Sequence, residues 1–195
     1  MLKPKQPLKA ASFKTLVAAL SVAMIQAASA ADNVLSGVVF RVHDGDTVTL
    51  IDDSNARHNI RLVGIDAPEL DQRFGPESKM FLARQVCNQR VQVITKGNDM
   101  YKRVLGEVVV GQVSMNEALV RNGWAVAYRI CRKKNGCTPN DEAVKYVPLE
   151  SNAYQTRAGL WADDNPVMPW DHRRMTKGSS KPGKSTDNCS LLVRR

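Results

Sequence analysis

The sequence predicts an α+β domain in which five strands close a small Greek-key barrel of the oligonucleotide/oligosaccharide-binding (OB) type, with about three helices. Three observations lead there. Early in the chain, "SGVVFRVH", "DTVTLID" and "HNIRLVGID" are β-branched and alternating, divided only by Asp-Gly and by "DSNAR". A helical pattern, "GPESKMFLARQVCN", then interrupts the strands before two more, "RVQVITK" and "RVLGEVVV". Further helices follow, and no internal repeat is visible.

The first 30 residues stand apart from this domain. Lys3, Lys5, Lys9 and Lys14 precede the apolar run "TLVAALSVAMIQAA", which ends at Ala28-Ser29-Ala30. A basic segment, a short hydrophobic segment and a small-x-small site predict a secretory signal cleaved near Ala30. The run is short for a membrane span, and no later stretch reaches spanning length, so the expectation is an exported protein, periplasmic or secreted, without stable membrane insertion. An uncleaved N-terminal anchor is the competing reading.

Charge divides the remainder. The chain carries a formal +9, of which the first 30 residues hold four lysines and no acid. Residues 171–195 contain seven basic and two acidic side chains, which leaves residues 31–170 neutral with 17 of each sign. The predicted organisation is therefore a signal (1–30), one barrel domain (31–170) and a basic, Gly/Ser/Lys-rich tail (171–195) with the composition of a flexible linker. Such a tail can draw in a polyanion or merely keep the chain soluble.

Each element has local reasons. Asp44-Gly45-Asp46 reads as a tight hairpin turn in which glycine supplies φ > 0. Pro76 and Glu77 suit the first turn of the helix that follows the third strand, whose apolar stripe is Met80, Phe81, Ala83, Val86 and Cys87. "SMNEALVRNG" is a short helix with Ser114 as N-cap, Glu117 completing a capping box and Gly123 as its stop. "YVPLESNAYQTRAGLW" is a last helix, started or broken at Pro148 and closed by Gly159.

Four cysteines in an exported chain suggest two disulfides. Cys131 and Cys137 bracket the turn-rich "RKKNG" and are assigned to each other, which leaves Cys87 with Cys189. A zinc site is the competitor, disfavoured because no CxxC pair and no nearby histidine are present.

The chemistry lies in carboxylates placed where a core is expected. Asp46, Val48 and Leu50 share one face of the second strand, so Asp46 points to the core side. At the far end of the third strand Ile60, Leu62, Gly64 and Asp66 share a face, with Glu69 just beyond. If these strands pair antiparallel, Asp46 and Asp66 meet at one rim, and two hard oxygen donors with a third carboxylate nearby suit Ca²⁺ or Mg²⁺. Either aspartate could instead cap its own turn. Arg61 and Arg103 are natural phosphate partners, or ordinary surface ion pairs.

"VHDGDTVTL", "IRLVGIDAPE", "FGPES", "DMYKRVLGEV", "MNEALVRNGWA" and "RAGLW", in this order over residues 35–162, resemble the staphylococcal-type thermonuclease family. The resemblance implies the five-stranded barrel and calcium-dependent hydrolysis of phosphodiester bonds in DNA and RNA by a monomer. It implies Asp46 and Asp66 as calcium ligands, with the backbone carbonyl of Ala67 standing where the best-known member has a threonine. Glu69 would serve the attacking water, Arg61 and Arg103 the scissile phosphate, and Tyr101 and Tyr128 the nucleotide pocket. Asp44 matches the outer aspartate of the turn and is expected to shape it. Lys102 replaces a glycine beside Arg103, and the long loop after Tyr128 has no counterpart. The alternative is a non-catalytic nucleic-acid-binding module of the cell envelope, disfavoured because converging carboxylates would repel a phosphate backbone.

Overall fold

Alternation of β-branched residues sets the long strands, and their inward faces set the core. The computed structural model describes residues 34–132, 136–178 and 189; the expected signal segment and most of the tail lie outside the described residues. In chain order the strands and helices are β1 (Val34–Val42), β2 (Thr47–Asp52), β3 (Arg57–Leu62), β4 (Ile65–Asp66), α1 (Gly75–Val86), β5 (Arg90–Asn98), β6 (Val104–Val110), β7 (Val113–Ser114), α2 (Met115–Arg121), β8 (Val126–Ala127), β9 (Arg129–Arg132), β10 (Gly136–Pro139), α3 (Val147–Gln155) and α4 (Pro169–Met175).

The barrel runs β3-β2-β1-β5-β6 and closes by a parallel pairing of β3 with β6. It is the five-stranded, OB-type mixed barrel of an α+β domain. β1 pairs with β2 and with β5, and its ladder to β2 shifts register between Val39 and Arg41. Such a bulge increases local twist and lets one strand turn the corner between two partners. Val39, Val48, Leu50, Ile60, Val91, Val93 and Val108 fill the interior, and Leu82 and Val86 of α1 and Leu119 and Val120 of α2 cover it.

Asn116 of α2 is the polar pin of this core. Its Oδ1 accepts the Val108 N–H at 3.0 Å, and its Nδ2 donates to the Val63 carbonyl at 2.9 Å. The buried amide therefore joins β6 to the chain leaving β3, beside the closing seam.

Several sequence expectations need correction. Gly45 does not have a positive φ; a Cβ there would meet Ser78 Oγ at 1.9 Å and Ala67 Cβ at 2.7 Å, so the glycine is required by close approach of α1 and the Ala67 segment. Of the expected α1 stripe, Ala83 and Val86 are buried and Phe81 and Cys87 pack against the core, but Met80 is 40% exposed, and Gly75, Ser78 and Leu82 are buried beside them. Ser78 shares the inner face, its hydroxyl donating to the Trp124 carbonyl at 2.6 Å. α3 ends at Gln155, because Arg157 takes a left-handed φ of 55°, and Gly159–Ala162 form a separate 3₁₀ turn. Among the described residues there are four α-helices rather than about three, the fourth being α4. The loop after Tyr128 forms the β9–β10 hairpin, with Cys131 and Cys137 paired across it and disulfide-bonded. A second disulfide joins Cys87 at the end of α1 to Cys189.

Asn116→Ala leaves the Val108 N–H and the Val63 carbonyl buried without a partner. We expect it to lower the unfolding free energy by about 2–4 kcal/mol in urea titration, the cost of orphaning buried polar groups.

Candidate active site

Asp46 follows the turn between β1 and β2. The Asp44 carboxylate accepts the Asp46 N–H at 3.0 Å and the His43 N–H reaches the Thr47 carbonyl at 2.8 Å, so Asp44 shapes the turn. In the β2–β3 ladder Thr47 stands opposite Arg61, which brings the start of one strand to the end of the other. The Asp46 side chain is 5% exposed; Oδ2 accepts the Ala67 N–H at 2.8 Å, Oδ1 accepts the Thr47 hydroxyl at 3.1 Å, and Arg61 pairs with Oδ1.

Asp66 reaches the same place from the other side. β4 pairs Asp66 with Val126 of β8, fixing its backbone, and Arg61 Nη2 lies 3.1 Å from Asp66 Oδ1. The two aspartates thus share one guanidinium. Burial pulls Arg61 below its ordinary pKa, and the charges of Asp66 and Asp44 counter this. Burial likewise raises the Asp44 carboxyl, against the pull of Arg61 and of hydrogen bonds with Thr47.

Glu69 sits in the tight loop from Glu69 to Phe74 ahead of α1. Its N–H donates to Gln72 Oε1 at 3.2 Å, and the loop closes so tightly that a Cβ on Gly75 would meet the Glu69 carbonyl at 1.8 Å. Asp46, Arg61, Ala67 and Glu69 line a cleft of about 670 Å³. Tyr101, Arg103 and Tyr128 line its other parts, Tyr101 being 73% exposed. Tyr128 is held there by its N–H to the Gly64 carbonyl at 2.9 Å. Every residue expected from the sequence therefore borders this cleft except Asp66, which is 1% exposed and lies behind the arginines.

Two residues of the cleft escaped sequence reasoning. Asp99 organises the Arg103 turn: its Oδ1 accepts the Tyr101 and Arg103 N–H groups at 2.8 and 3.0 Å, and its Oδ2 accepts Arg103 Nε at 2.7 Å. "NDMYKR", an aspartate two and four residues ahead of the N–H donors it accepts from, is a legible Asx-turn signal. Arg173 of α4 is the second. Its Nη2 and Nη1 meet Asp66 Oδ2 and Oδ1 at 2.6 and 3.0 Å, and Nη1 meets Glu69 Oε1 at 2.8 Å. Burial opposes its charge, but the hydrogen bonds and charges of Asp66 and Glu69 outweigh that and raise its pKa above the ordinary value. The 170/171 limit drawn from composition falls inside α4. Pro169 in its first turn, Asp171 near its start and Arg173 and Arg174 near its end were the available helix signals.

A barrel rim that gathers buried carboxylates and arginines beside one cleft suits a phosphate-processing hydrolase better than a plain binding surface. The family described as Staphylococcal nuclease homologue matches residues 59–163. Protein ParB of Escherichia coli is 37% identical over 186 residues, covering 90% of this chain and all of its own length (100%). Micrococcal nuclease of Shigella flexneri is 36% identical over 174 residues, 84% of this chain and 94% of its own. An uncharacterized endonuclease of Haemophilus influenzae is 37% identical over 139 residues, 71% of this chain and 73% of its own. The chain belongs to the staphylococcal nuclease homologue family and is a nuclease.

Two predictions concern the Arg103 turn. Lys102 has a left-handed φ of 61°, which a side chain disfavours by about 1–2 kcal/mol. Lys102→Gly relieves that but loosens the unfolded chain, and we expect stability unchanged or raised by up to about 1 kcal/mol in thermal melts. Burial pushes the Asp99 carboxyl up, but hydrogen bonds from the Arg103 backbone and side chain and from the Tyr101 backbone leave it below its ordinary pKa. A depressed carboxyl stabilises above its unfolded pKa of about 4 and ceases to as pH falls through the folded value. The difference in Tm between the parent protein and Asp99→Asn should therefore be constant above pH about 4 and shrink below it.

Proposed function

We propose that the protein is a calcium-dependent phosphodiesterase that hydrolyses DNA and RNA with little discrimination between their sugars, acting after export to the periplasm or medium. The observation that carries this reading is the meeting of two buried carboxylates, Asp46 and Asp66, on one guanidinium at the rim of a cleft that also holds Glu69 and Arg103. The two disulfides agree with an oxidising compartment, and among the described residues no helix is long and apolar enough to cross a membrane.

The donor set fits a hard divalent cation. Asp46 and Asp66 supply carboxylate oxygens and Ala67 a backbone carbonyl, a set that suits calcium or magnesium and offers no thiolate or imidazole to a softer metal. Among the described residues no three His, Cys, Asp or Glu side chains gather as a metal cluster, so water would complete the coordination of calcium. Bound there, the cation would neutralise charge on the phosphoryl oxygens. Arg61 and Arg103 offer planar forks for the scissile phosphate, and Asp99 holds Arg103 by Nε so that its position costs no reorganisation on substrate binding. Glu69, facing the cleft, orients or deprotonates the attacking water. Tyr101 and Tyr128 present ring faces to a nucleotide, a contact that does not depend on sequence.

Purified protein is expected to cleave both DNA and RNA with Ca²⁺ and neither with chelator. Glu69→Gln and Arg103→Ala should each lower kcat by about 10²–10³, the scale of losing one transition-state donor, with circular dichroism unchanged. Asp46→Ala should abolish calcium binding measured by calorimetry, whereas Asp44→Asn should change it little. A folded protein that binds nucleic acid but shows no chelator-sensitive cleavage would establish the binding module instead.

A further inference from the structure

The chain from Asp163 to Arg173 lies along the loop that carries Glu69 and grips it repeatedly. Gln72 is the link to the backbone: it accepts the Glu69 N–H and donates from Nε2 to the Val167 carbonyl at 2.6 Å. Arg73 pairs with Asp163, and His172 Nε2 lies 3.0 Å from Asp71 Oδ1. Arg173 then takes the Glu69 carboxylate at 2.8 Å. α4 is itself seated by Trp170, whose ring lies 5.4 Å from the Arg129 guanidinium. Arg129 is fixed in turn by a two-pronged pair with buried Glu150 at 2.9 and 2.8 Å.

The same guanidinium closes off Asp66. Both Asp66 oxygens are within 3.0 Å of Arg173, and the carboxylate does not border the cleft. A fork-to-carboxylate pair of this kind is geometrically specific and strong. A cation taking Asp66 as a ligand would compete with Arg173 for the same two oxygens.

We propose that Arg173 is a positioning residue with two opposed effects: it holds the Glu69 carboxylate in its working orientation, and it competes with the cation for Asp66. The proposal rests on the reading of the cleft as a calcium-dependent nuclease site. The C-terminal strap thereby becomes part of the active site, and metal occupancy is coupled to the contacts of α4. Removing the guanidinium relieves the competition and frees Glu69 in one stroke, so calcium affinity and turnover move in opposite directions. Loss of a merely structural contact would weaken both or neither.

The test uses the full chain with R173A and R173K. Calorimetric titration with CaCl₂ alone should show R173A binding calcium about tenfold more tightly, within the usual range of a coupling between sites. Its kcat on single-stranded DNA at saturating calcium should fall about 10–100-fold, the range for losing a residue that orients a ligand or catalytic group, with KM nearly unchanged. R173K keeps the charge without the fork, so its calcium affinity should stay near the parent value while kcat remains low. Unchanged or weaker calcium binding by R173A, or an unchanged kcat, overturns the proposal. Amide hydrogen exchange across residues 69–73, run with neither calcium nor DNA, separates this from the function itself: faster exchange in R173A supports the positioning, and unchanged exchange overturns it. A parent protein that binds no calcium and cuts no nucleic acid would instead refute the nuclease reading.

Discussion

The structure turns on Arg61. It stands in β3, opposite Thr47 of β2 on one side and beside Leu105 of β6 on the other, at the seam where the barrel closes. A guanidinium there is largely out of water and would be expensive if unpaired. Asp46 and Asp66 offset the cost, one from the turn before β2 and one from the chain just after β3. Removing Arg61 would leave Asp46 a buried carboxylate without its counter-charge, with a typical penalty of about 3–5 kcal/mol. The rim therefore closes with all three present, and closure is what brings the acids together. Asn116, reaching Val63 and Val108 from beneath, holds the same seam with neutral hydrogen bonds.

Features of the fold that depend on neighbours in sequence were legible. The strand period of two placed Asp46 on the core side with Val48 and Leu50, and all three are buried. Ser114 accepts the Glu117 N–H as an N-cap should, and Gly123 ends α2 with a φ of 69°. What failed depends on tertiary approach. Nothing local distinguishes a glycine needed for a turn from one needed because a helix passes over it, and Gly45 is the second kind. On α1 the apolar period found Phe81, Ala83, Val86 and Cys87 but not the polar Ser78, which joins the inner face through its bond to the Trp124 carbonyl.

The same distinction explains the candidate site. The cleft residues lie in short motifs near the ends of the strands, where period and turn chemistry constrain them. Arg173 does not. It lies 107 residues from Asp66 and 104 from Glu69, in a stretch whose composition reads as linker. Composition averages over the whole tail and so hides a helix of about two turns that starts at its edge and carries Arg173. Trp170, just on the domain side of the 170/171 limit, was a compositional trace of the helix, since a flexible tail has no use for an indole.

The tail's charge also acquires a different meaning once α4 is placed. Residues 31–170 are formally neutral, so long-range attraction of a polyanion cannot come from the body of the domain as a whole. α4 carries part of the tail's surplus to the cleft itself, where Arg173 stands with Arg61 and Arg103 among the lining residues. Each of these arginines is already engaged by a carboxylate: Arg61 by Asp46, Arg103 by Asp99, Arg173 by Glu69 and Asp66. In the proposed reading the cleft works by exchange of partners. Asp46 and Asp66 would hold the cation, and Arg61, no longer their partner, would be free to meet phosphate, while Arg103 stays held by Asp99. Charges that neutralise one another in the resting site keep the barrel rim stable, and the same charges, held in fixed geometry by the strap and the Asp99 turn, are in place when substrate arrives.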